Sequence, residues 1–575
     1  MQRSPLCSVS AAPHRAAGFL PTAASPAGRS LLVAGCLAVA ALGHATNVRA
    51  APQQDQVDAA VRAAIERYRL PGIAVGVVKG GDVVFARGYG EVEAGSGDAV
   101  ERDTIFKVAS NSKAMTAALL ARLVDAGKLA WDDPVVKHLP AFRMHEDWVT
   151  REIQVRDLLV HNSGLGPGAG DLMLWPEPNS FTRDEVIAGL AHLKPRWSFR
   201  SRYAYDNTLY IVAGEVAAAA GGAPYEVLMR REVFGPLGMD GCRIGEWRVD
   251  EAGSVAAPHV WRDGAWVARP DGEVVADMPM AAAGGVRCGL DDMLRWTRAW
   301  LDPDAPDGAG GSTGSQSGQG QGPWLSSEQR AAAWTAHMPM PLTQRMRDWN
   351  RSHYSAYGHG WRLSDVDGTQ KVAHTGTLSG MYSAVTLLPE LGVGFVILIN
   401  SDAGEARTVL EQALSKLVTC AASACGPGLP TASGGGLVDH YAELLAAERS
   451  AAAPVPADGA PPVPPVRQPV PAGGAAHWRG RYRDPWFGEA TVCGAGEGVR
   501  FESLKSPRLA GPVLQAGKRL LVDFDTLGPD ADAWLEFRAG DGGGPPRLSM
   551  AKVDPDADFS YDYEDLAFER IGDCS

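Results

Sequence analysis

The sequence predicts an α+β fold in which one antiparallel sheet is flanked by helices and joined to an all-helical lobe, followed by a small all-β, barrel-like domain. Strand patterns occur early, give way to a mainly helical middle that ends near Phe234, and return between Tyr357 and Ile399. This order favours a single sheet built from both ends of the domain. Short strand patterns with many turn residues then fill the region from Trp478 to Arg570, which favours a barrel or sandwich.

The domain boundaries follow shifts in composition along the 575 residues. Residues 303–323 are almost wholly Gly, Ser, Gln, Asp and Pro, and we expect a disordered surface insertion there. Ala451 to Gly474 is rich in Pro and Ala, which predicts a semi-rigid linker. The expected parts are a signal peptide (1–50), a first domain (51–425), a helix with the linker (426–475) and a C-terminal β domain (476–575).

The N-terminal residues have the composition of a secretory signal peptide. Three arginines precede an apolar run from Leu31 to Gly43, and small residues surround Ala50, after which we expect cleavage. A periplasmic or secreted location follows. The run 33–36, Val-Ala-Gly-Cys, resembles a lipoprotein cleavage box, but the apolar stretch continues past Cys36, so lipidation is the less favoured alternative. No later segment is long and apolar enough to predict a transmembrane helix in the mature chain.

Local patterns predict the individual elements. Apolar spacing favours a helix, alternation or short β-branched runs favour strands, and Gly, Pro and Asp mark the turns. The predicted helices are Val57–Tyr68, a helix after Ser110 that ends near Gly127, Leu209–Ala220 and Glu405–Leu417. The predicted strands are Ile73–Val78, Val83–Arg87, Tyr357–Leu363, Val372–His374, Ser383–Leu388, Val393–Ile399, Ala490–Val492, Arg519–Phe524 and Ala533–Phe537.

Charge and cysteine content narrow the classes of function. The net charge is -13 and the isoelectric point is near 5.5. Because the sequence shows no basic stripe that could neutralise phosphates, we expect no nucleic-acid partner. Neither the cysteines nor the histidines have zinc-site spacing, so we expect no metal and no cofactor. Export permits disulfides among Cys242, Cys288, Cys420, Cys425, Cys493 and Cys574, but sequence does not choose the pairing, although Cys420 and Cys425 would close the shortest loop.

The first chemical motif is Phe106-Lys107-Val108-Ala109-Ser110-Asn111-Ser112-Lys113, which precedes an apolar helical run. A spacing of three places Ser110 and Lys113 on one helical face, so their side chains can meet. A helix N-terminus favours developing negative charge, and the amine could accept the serine proton. Taken alone, the same pattern also fits an ordinary helix cap with a nearby lysine.

Two later motifs complete a set. Tyr205-Asp206-Asn207 enters a predicted helix, and His374-Thr375-Gly376-Thr377 ends a predicted strand. Each alone is compatible with a structural role, because a tyrosine at a helix start usually packs and a strand-end glycine usually makes a turn or bulge.

In this order the three motifs resemble those of the serine β-lactamase-like superfamily, which includes class C β-lactamases, D-alanyl-D-alanine carboxypeptidases, D-aminopeptidases and esterases. The resemblance extends from Asp55 to Leu417 and includes Pro236-Leu237-Gly238-Met239 and Ala283-Gly284-Gly285-Val286. Beyond the linker, 478–485 and 558–568 resemble a domain of unknown function that is often appended to this family.

The resemblance implies a mechanism. Ser110 would attack an acyl carbonyl to form an acyl-enzyme that water cleaves, and Lys113 and Tyr205 would share the acid and base roles. Which of the two is the base stays open. Asn207 would bond to Lys113 and to substrate, while the backbone N–H groups of Ser110 and Thr377 would form the oxyanion hole. Gly376 would leave room for the substrate.

His374 occupies the position where β-lactamases typically carry a lysine that binds the substrate carboxylate. Imidazole titrates near pH ~6.5 and would be mostly neutral at neutral pH, which favours esterase, D-aminopeptidase or related peptidase activity on a small molecule or short peptide. If His374 is protonated in place, D-alanyl-D-alanine carboxypeptidase or β-lactamase activity on peptidoglycan-derived or related substrates is the alternative. An alternative of another class is a non-catalytic penicillin- or peptide-binding envelope protein. Oligomeric state stays open.

Overall fold

The computed structural model describes residues 54–302, 323–420, 434–452, 466–475, 477–540 and 544–574. The predicted signal peptide, nearly all of the predicted insertion, Cys425 and much of the predicted linker lie outside these ranges, so those predictions stay predictions.

The described part of the chain starts with a helix and a hairpin, as predicted. Glycines in the connecting turn close the hairpin, and the next strand leads directly into the turn that carries Ser110. These elements are α1 (Gln54–Tyr68), β1 (Gly72–Lys79), β2 (Asp82–Gly90), β3 (Phe106–Lys107) and α2 (Ser112–Asp125).

The middle of the chain forms the predicted helical lobe. Thr182 and Glu185 form a capping box at the start of one helix, and Gly222, at φ +71°, ends another in the left-handed conformation that favours glycine. The helices are α3 (Val135–His138), α4 (Asp147–Glu152), α5 (Arg183–Gly189), α6 (Thr208–Gly221) and α7 (Tyr225–Met229), with 3-10 turns at Val155–Leu159 and Asp171–Met173.

Short paired strands connect this lobe to the second half of the sheet. The pairs are β3 with β8, β4 with β7 and β5 with β6. The elements are β4 (Trp247–Arg248), β5 (His259–Arg262), β6 (Ala265–Ala268), β7 (Val274–Val275), α8 (Ala281–Gly284), β8 (Arg287–Cys288), α9 (Leu290–Leu301), α10 (Ser327–Ala333) and β9 (Met338–Pro339).

The returning strands complete one antiparallel sheet of eight strands in the order β2-β1-β14-β13-β12-β11-β10-β9. Its later elements are β10 (Ser355–Tyr357), β11 (Arg362–Val366), β12 (Thr369–Leu378), β13 (Met381–Leu388), β14 (Val393–Ile399), α11 (Gly404–Thr419) and α12 (Gly434–Ala452). Val75 of β1 pairs with Ile397 of β14, so the prediction that the two ends of the domain meet is confirmed.

One predicted strand is wrong. The pattern from Tyr357 to Leu363 predicted a single strand, but β10 ends at Tyr357 and β11 begins at Arg362. Gly360 has φ +75° between them, a backbone conformation that turns the chain, and Gly358 N donates to Trp361 O across the turn.

Apolar side chains fill both faces of the sheet. On one face α1, α11 and α12 cover β1 and β14 through residues such as Val61, Phe395 and Leu410. On the other face α9 and the helical lobe form a second core. The continuous apolar sequence of β14 is therefore explained by burial on both sides.

The C-terminal domain is a closed eight-stranded barrel, which confirms the barrel-like prediction. Successive strands pair from β16 to β23, and β23 pairs with β16 to close the barrel; β15 adds to the outside of β19. The strands are β15 (Arg467–Pro469), β16 (Gly480–Asp484), β17 (Gly488–Ala495), β18 (Gly498–Ser503), β19 (Ala510–Ala516), β20 (Arg519–Val522), β21 (Ala533–Arg538), β22 (Arg547–Lys552) and β23 (Phe568–Gly572).

Two disulfides have both of their cysteines within the described ranges, Cys242 with Cys288 beside α9 and Cys493 with Cys574 within the barrel. Their pairing was left open by the sequence.

Within the described ranges, none of the helices has the length and apolar character needed to cross a membrane.

Candidate active site

Ser110 lies in a single 3-10 turn, Ala109–Asn111, that joins β3 to α2. Ala109 adopts φ +49°, an unfavourable conformation for a residue with a side chain, and this sharp turn leaves Ser110 half-buried. Ser383 of β13 fixes the turn: its Oγ donates to Val108 O at 2.7 Å and accepts from Asn111 Nδ2 at 2.8 Å. The sheet therefore holds the serine in place.

The Lys113 amine is buried and contacts three oxygen atoms. Its Nζ lies 3.1 Å from Ser110 Oγ, 2.7 Å from Asn207 Oδ1 and 2.8 Å from Ala283 O. The last two are acceptors only, so they take two N–H groups of the amine. A neutral amine would then direct its lone pair at the Ser110 hydroxyl.

The surroundings favour that neutral form. Burial is the largest cause that lowers the pKa of Lys113, to about 7; Asp171 and Asp206 oppose this shift, and the nearby Arg362 contributes to it. A lysine with this pKa is partly deprotonated at neutral pH and can accept a proton from the serine.

Tyr205 approaches the serine from the helical lobe. Its hydroxyl donates to Ser110 Oγ at 2.9 Å. Burial raises the pKa of Tyr205 to about 12, although Arg362, 5.6 Å from the ring, opposes this shift. Tyr205 is therefore a neutral phenol that donates to Ser110, while Lys113 is the group able to accept a proton.

Asn207 links Lys113 to a residue that the motifs did not indicate. Its Oδ1 accepts from Lys113, as the resemblance implied, and its Nδ2 donates to Asp171 Oδ2 at 2.8 Å. Burial raises the pKa of Asp171 well above its usual range. The implied contact of Asn207 with substrate stays a prediction.

His374 lies behind the strand edge. It is 1% exposed, its Nε2 pairs with the Tyr357 hydroxyl at 2.8 Å, and its Nδ1 pairs with Thr375 O at 2.8 Å. Burial first, then Arg362 and Lys113, lower its pKa well below the usual value. The imidazole is thus neutral, and both of its nitrogens are engaged within the protein. Its role in substrate binding stays a prediction.

Gly376 is required by the packing of β12, and its role in leaving room for substrate stays a prediction. A Cβ at this position would lie 2.2 Å from Val108 O and 2.4 Å from Ser383 Oγ. The absent side chain therefore lets β12 approach the turn that carries Ser110. Thr377, the next residue, is exposed at the strand edge, as a backbone oxyanion donor would need to be.

Two arginines border the site and were not found from the sequence. Arg362 of β11 donates to Thr375 Oγ1 at 2.8 Å, and Arg407 of α11 donates to Thr377 Oγ1 and Gly376 O, each at 2.9 Å. Neither belongs to a recognisable motif, because only the sheet register and the packing of α11 bring them to β12. Among the described residues, no cluster of three or more His, Cys, Asp or Glu side chains could hold a metal ion.

The family model described as Beta-lactamase matches residues 57–418. Unguisins hydrolase ungD' of Aspergillus campestris is 25% identical over 350 residues, which are 59% of this chain and 60% of that relative. The D-alanyl-D-alanine-carboxypeptidase/endopeptidase AmpH of Escherichia coli K12 is 28% identical over 295 residues, 48% of this chain and 70% of AmpH.

A solved structure, that of the octameric penicillin-binding protein homologue from Pyrococcus abyssi, has a similar fold. It superposes with a TM-score of 0.50 at 18% identity and covers 89% of this chain and 98% of its own. At this identity the similarity concerns the fold alone.

Gly376→Ala tests the contact between β12 and the serine turn. Because a Cβ would overlap Val108 O, we expect the free energy of unfolding to fall by about 1–3 kcal/mol. Labelling of Ser110 by a fluorophosphonate should slow on the order of a hundredfold, since the turn must shift. Denaturant unfolding and mass spectrometry measure the two effects. Gly272→Ala is the matched control, because its nearest atom would be 3.8 Å away; equal behaviour of the two variants would contradict the prediction.

Proposed function

The chain belongs to the Beta-lactamase family, and from this premise we propose that it is a serine hydrolase that cleaves ester or amide bonds through an acyl-enzyme on Ser110. The observation that carries the proposal is the convergence of Lys113 Nζ and the Tyr205 hydroxyl on Ser110 Oγ. One group can accept the serine proton and the other can donate a hydrogen bond to the same oxygen. This is the arrangement that an activated nucleophile requires.

The acylation step follows from these contacts. Ser110 Oγ forms a bond to the substrate carbonyl carbon while its proton passes to neutral Lys113. The carbonyl oxygen becomes negatively charged, and the backbone N–H groups of Ser110 and Thr377 stabilise it. When the bond to the leaving alcohol or amine breaks, the leaving group takes the proton from Lys113. Tyr205 maintains its hydrogen bond to Oγ and orients the serine.

Deacylation reverses these roles with water as the nucleophile. Lys113 accepts a proton from water, the water oxygen attacks the acyl carbon, and the proton returns to Ser110 Oγ as the carboxylic acid leaves. Asn207 holds Lys113 through Oδ1 in both steps. The same lysine thus serves twice, which a pKa of about 7 permits.

Esterase, D-aminopeptidase or related peptidase activity is the first candidate, on small molecules or short peptides in the periplasm or outside the cell. The neutral, internally bonded His374 supports it, because this residue offers no cation to a substrate carboxylate. The name of the Aspergillus campestris relative, Unguisins hydrolase, is compatible with a hydrolase.

D-alanyl-D-alanine carboxypeptidase activity is a second candidate, and Arg407 favours it. This arginine donates to the exposed Thr377 at the edge where a substrate backbone would bind, so it can supply the positive charge that His374 does not. The E. coli relative is named for such an activity. A binding protein without turnover is the remaining alternative, and kinetics separate it from both.

Ser110→Ala is expected to lower kcat/KM on the order of a thousandfold or more, because serine, base and oxyanion hole act as one unit. The assay is a panel of p-nitrophenyl esters, D- and L-amino-acid anilides, D-Ala-D-Ala peptides and nitrocefin, together with fluorophosphonate labelling read by mass spectrometry. Wild-type protein that is never labelled, or label that persists in the variant, would contradict the proposal. Labelling without turnover would favour the binding protein.

The pH dependence of kcat/KM is expected to show an acid limb near pH 7. Below the Lys113 pKa of about 7 the amine is protonated and cannot accept the serine proton, so the rate should fall about tenfold per pH unit. Tyr205→Phe should lower kcat/KM but leave the acid limb of its pH profile at the same pH. Lys113→Arg should be inactive at every pH tested. A wild-type profile that is flat between about pH 5 and 9 would show that another group is the base.

Arg407→Ala is expected to distinguish the two candidate functions. If Arg407 binds a terminal carboxylate, kcat/KM for a D-Ala-D-Ala peptide should fall about tenfold or more relative to its C-terminal amide, the loss of one charge-assisted hydrogen bond. Arg62→Ala, an exposed arginine of α1, is the matched control. An equal loss on acid and amide would exclude carboxylate recognition by Arg407.

A further inference from the structure

The C-terminal barrel reaches the active site through one segment, residues 558–563, which precedes β23. Phe559 of this segment lies edge-on to Tyr205, with 5.6 Å between the ring centroids, and is 40% exposed. It is among the few large apolar side chains of the barrel that remain so open to solvent. The aromatic ring therefore lines the space beside the tyrosine that contacts Ser110.

Gly168 of the helical lobe fixes the position of Phe559. Its N donates to Tyr205 O at 2.8 Å, and a Cβ on it would lie 2.6 Å from Phe559 O and 2.8 Å from Phe559 Cδ2. Gly168 has φ +70°, a conformation that favours glycine. The lobe thus leaves room at this point for the barrel segment to pack against the backbone that carries Tyr205.

Ser560 joins the hydrogen-bonded chain behind Lys113. Its Oγ donates to Asp171 Oδ2 at 2.8 Å, and the same oxygen accepts from Asn207 Nδ2 at 2.8 Å. Asn207 Oδ1 in turn accepts from Lys113. A side chain of the barrel is therefore three hydrogen bonds away from the catalytic amine.

Asp562 anchors the segment on both sides of Asp171. Its carboxylate accepts from Gly170 N at 2.6 Å and from Leu172 N at 3.1 Å. Burial, and then Asp171, raise the pKa of Asp562 well above its usual range. Burying the carboxyl groups of Asp171 and Asp562 side by side costs free energy. Two domains that only packed against each other would not incur this cost.

The barrel has further contacts with the helical lobe. Away from Ser110, Lys505 pairs with Glu185, Ser180 N donates to Lys505 O at 2.9 Å, and Arg508 donates to Glu177 O at 3.0 Å. These contacts also join the barrel to the helical lobe. The polar chain from Ser560 to Lys113 needs another explanation.

We propose that residues 558–563 complete the active site: Ser560 is a positioning residue that acts on Lys113 through Asp171 and Asn207, and Phe559 limits the size of the acyl group beside Tyr205. The inference rests on the proposed hydrolase function. It assigns the barrel a part in both the rate and the specificity of that reaction.

Ser560→Ala tests the positioning role in the full-length protein. Losing one hydrogen bond to Asp171 should lower kcat about three- to tenfold for p-nitrophenyl acetate while KM changes less than about twofold, because Ser560 does not touch substrate. Ser560→Thr keeps the hydroxyl and should retain most of the rate. In the Asn207→Ala background, Ser560→Ala should have almost no further effect, since the chain is already broken.

Phe559→Ala tests the specificity role. Removing the ring should raise the ratio of kcat/KM for p-nitrophenyl decanoate over p-nitrophenyl acetate at least about fivefold, because the bulky acyl group gains space and the small one does not. Phe559→Leu, which keeps an apolar side chain, should give an intermediate ratio. Lys505→Ala is the control for both experiments: it weakens docking of the barrel away from Ser110 and should change neither quantity.

The outcomes separate this inference from the proposed function. Wild-type protein that is not labelled at Ser110 and does not turn over any ester overturns the proposed function. The inference alone is overturned if the wild-type protein turns over esters but Ser560→Ala and Phe559→Ala give the same kcat and the same decanoate-to-acetate ratio as Lys505→Ala. A loss of rate in Ser560→Thr as large as in Ser560→Ala, or full additivity with Asn207→Ala, assigns Ser560 a structural role and also overturns it.

Discussion

The burial of one amine organises this structure. A charged lysine in a dry site costs several kcal/mol, so Lys113 is stable there only with its hydrogen bonds satisfied and its pKa lowered towards neutrality. Asn207 and Ala283 provide two acceptors, so a neutral amine would have its lone pair left for Ser110. The same burial that penalises the charge would create the base of the proposed reaction. The proposed catalytic capacity and a local cost in stability would therefore have one physical origin.

This constraint explains why distant parts of the chain converge. The helical lobe brings Tyr205 and Asn207, the short helix α8 brings Ala283 O, and β12 closes the other side through Gly376. Each contribution excludes water or satisfies a polar group. The barrel adds Ser560 to the same network through Asp171. A disturbance at any of these contacts is expected to reach the amine, because Lys113 and Asp171 are fully buried and bulk solvent does not reach them to replace a lost partner.

The His374 motif alone does not indicate where positive charge lies near the edge of β12. Imidazole at this position would be expected to titrate near neutral pH, but burial, and then Arg362 and Lys113, lower the pKa of His374 well below its usual value. The permanent positive charge is provided by Arg362 and Arg407 instead. Under the proposed function, a positive charge for a substrate carboxylate would come from Arg407 on α11 or Arg362 on β11.

The sequence by itself determined the order of elements, the antiparallel sheet, the barrel and the motifs that meet at Ser110. The reason is that the spacing of apolar residues and the positions of turn residues are local properties of the chain. It misplaced the strand around Gly360, since a turn within an apolar run leaves the periodicity nearly unchanged. Only the tertiary structure decided the protonation of Lys113 and the contacts of Asp171, Arg407 and Ser560. A pKa depends on burial and on neighbours far away in the chain, and no local pattern encodes either of them.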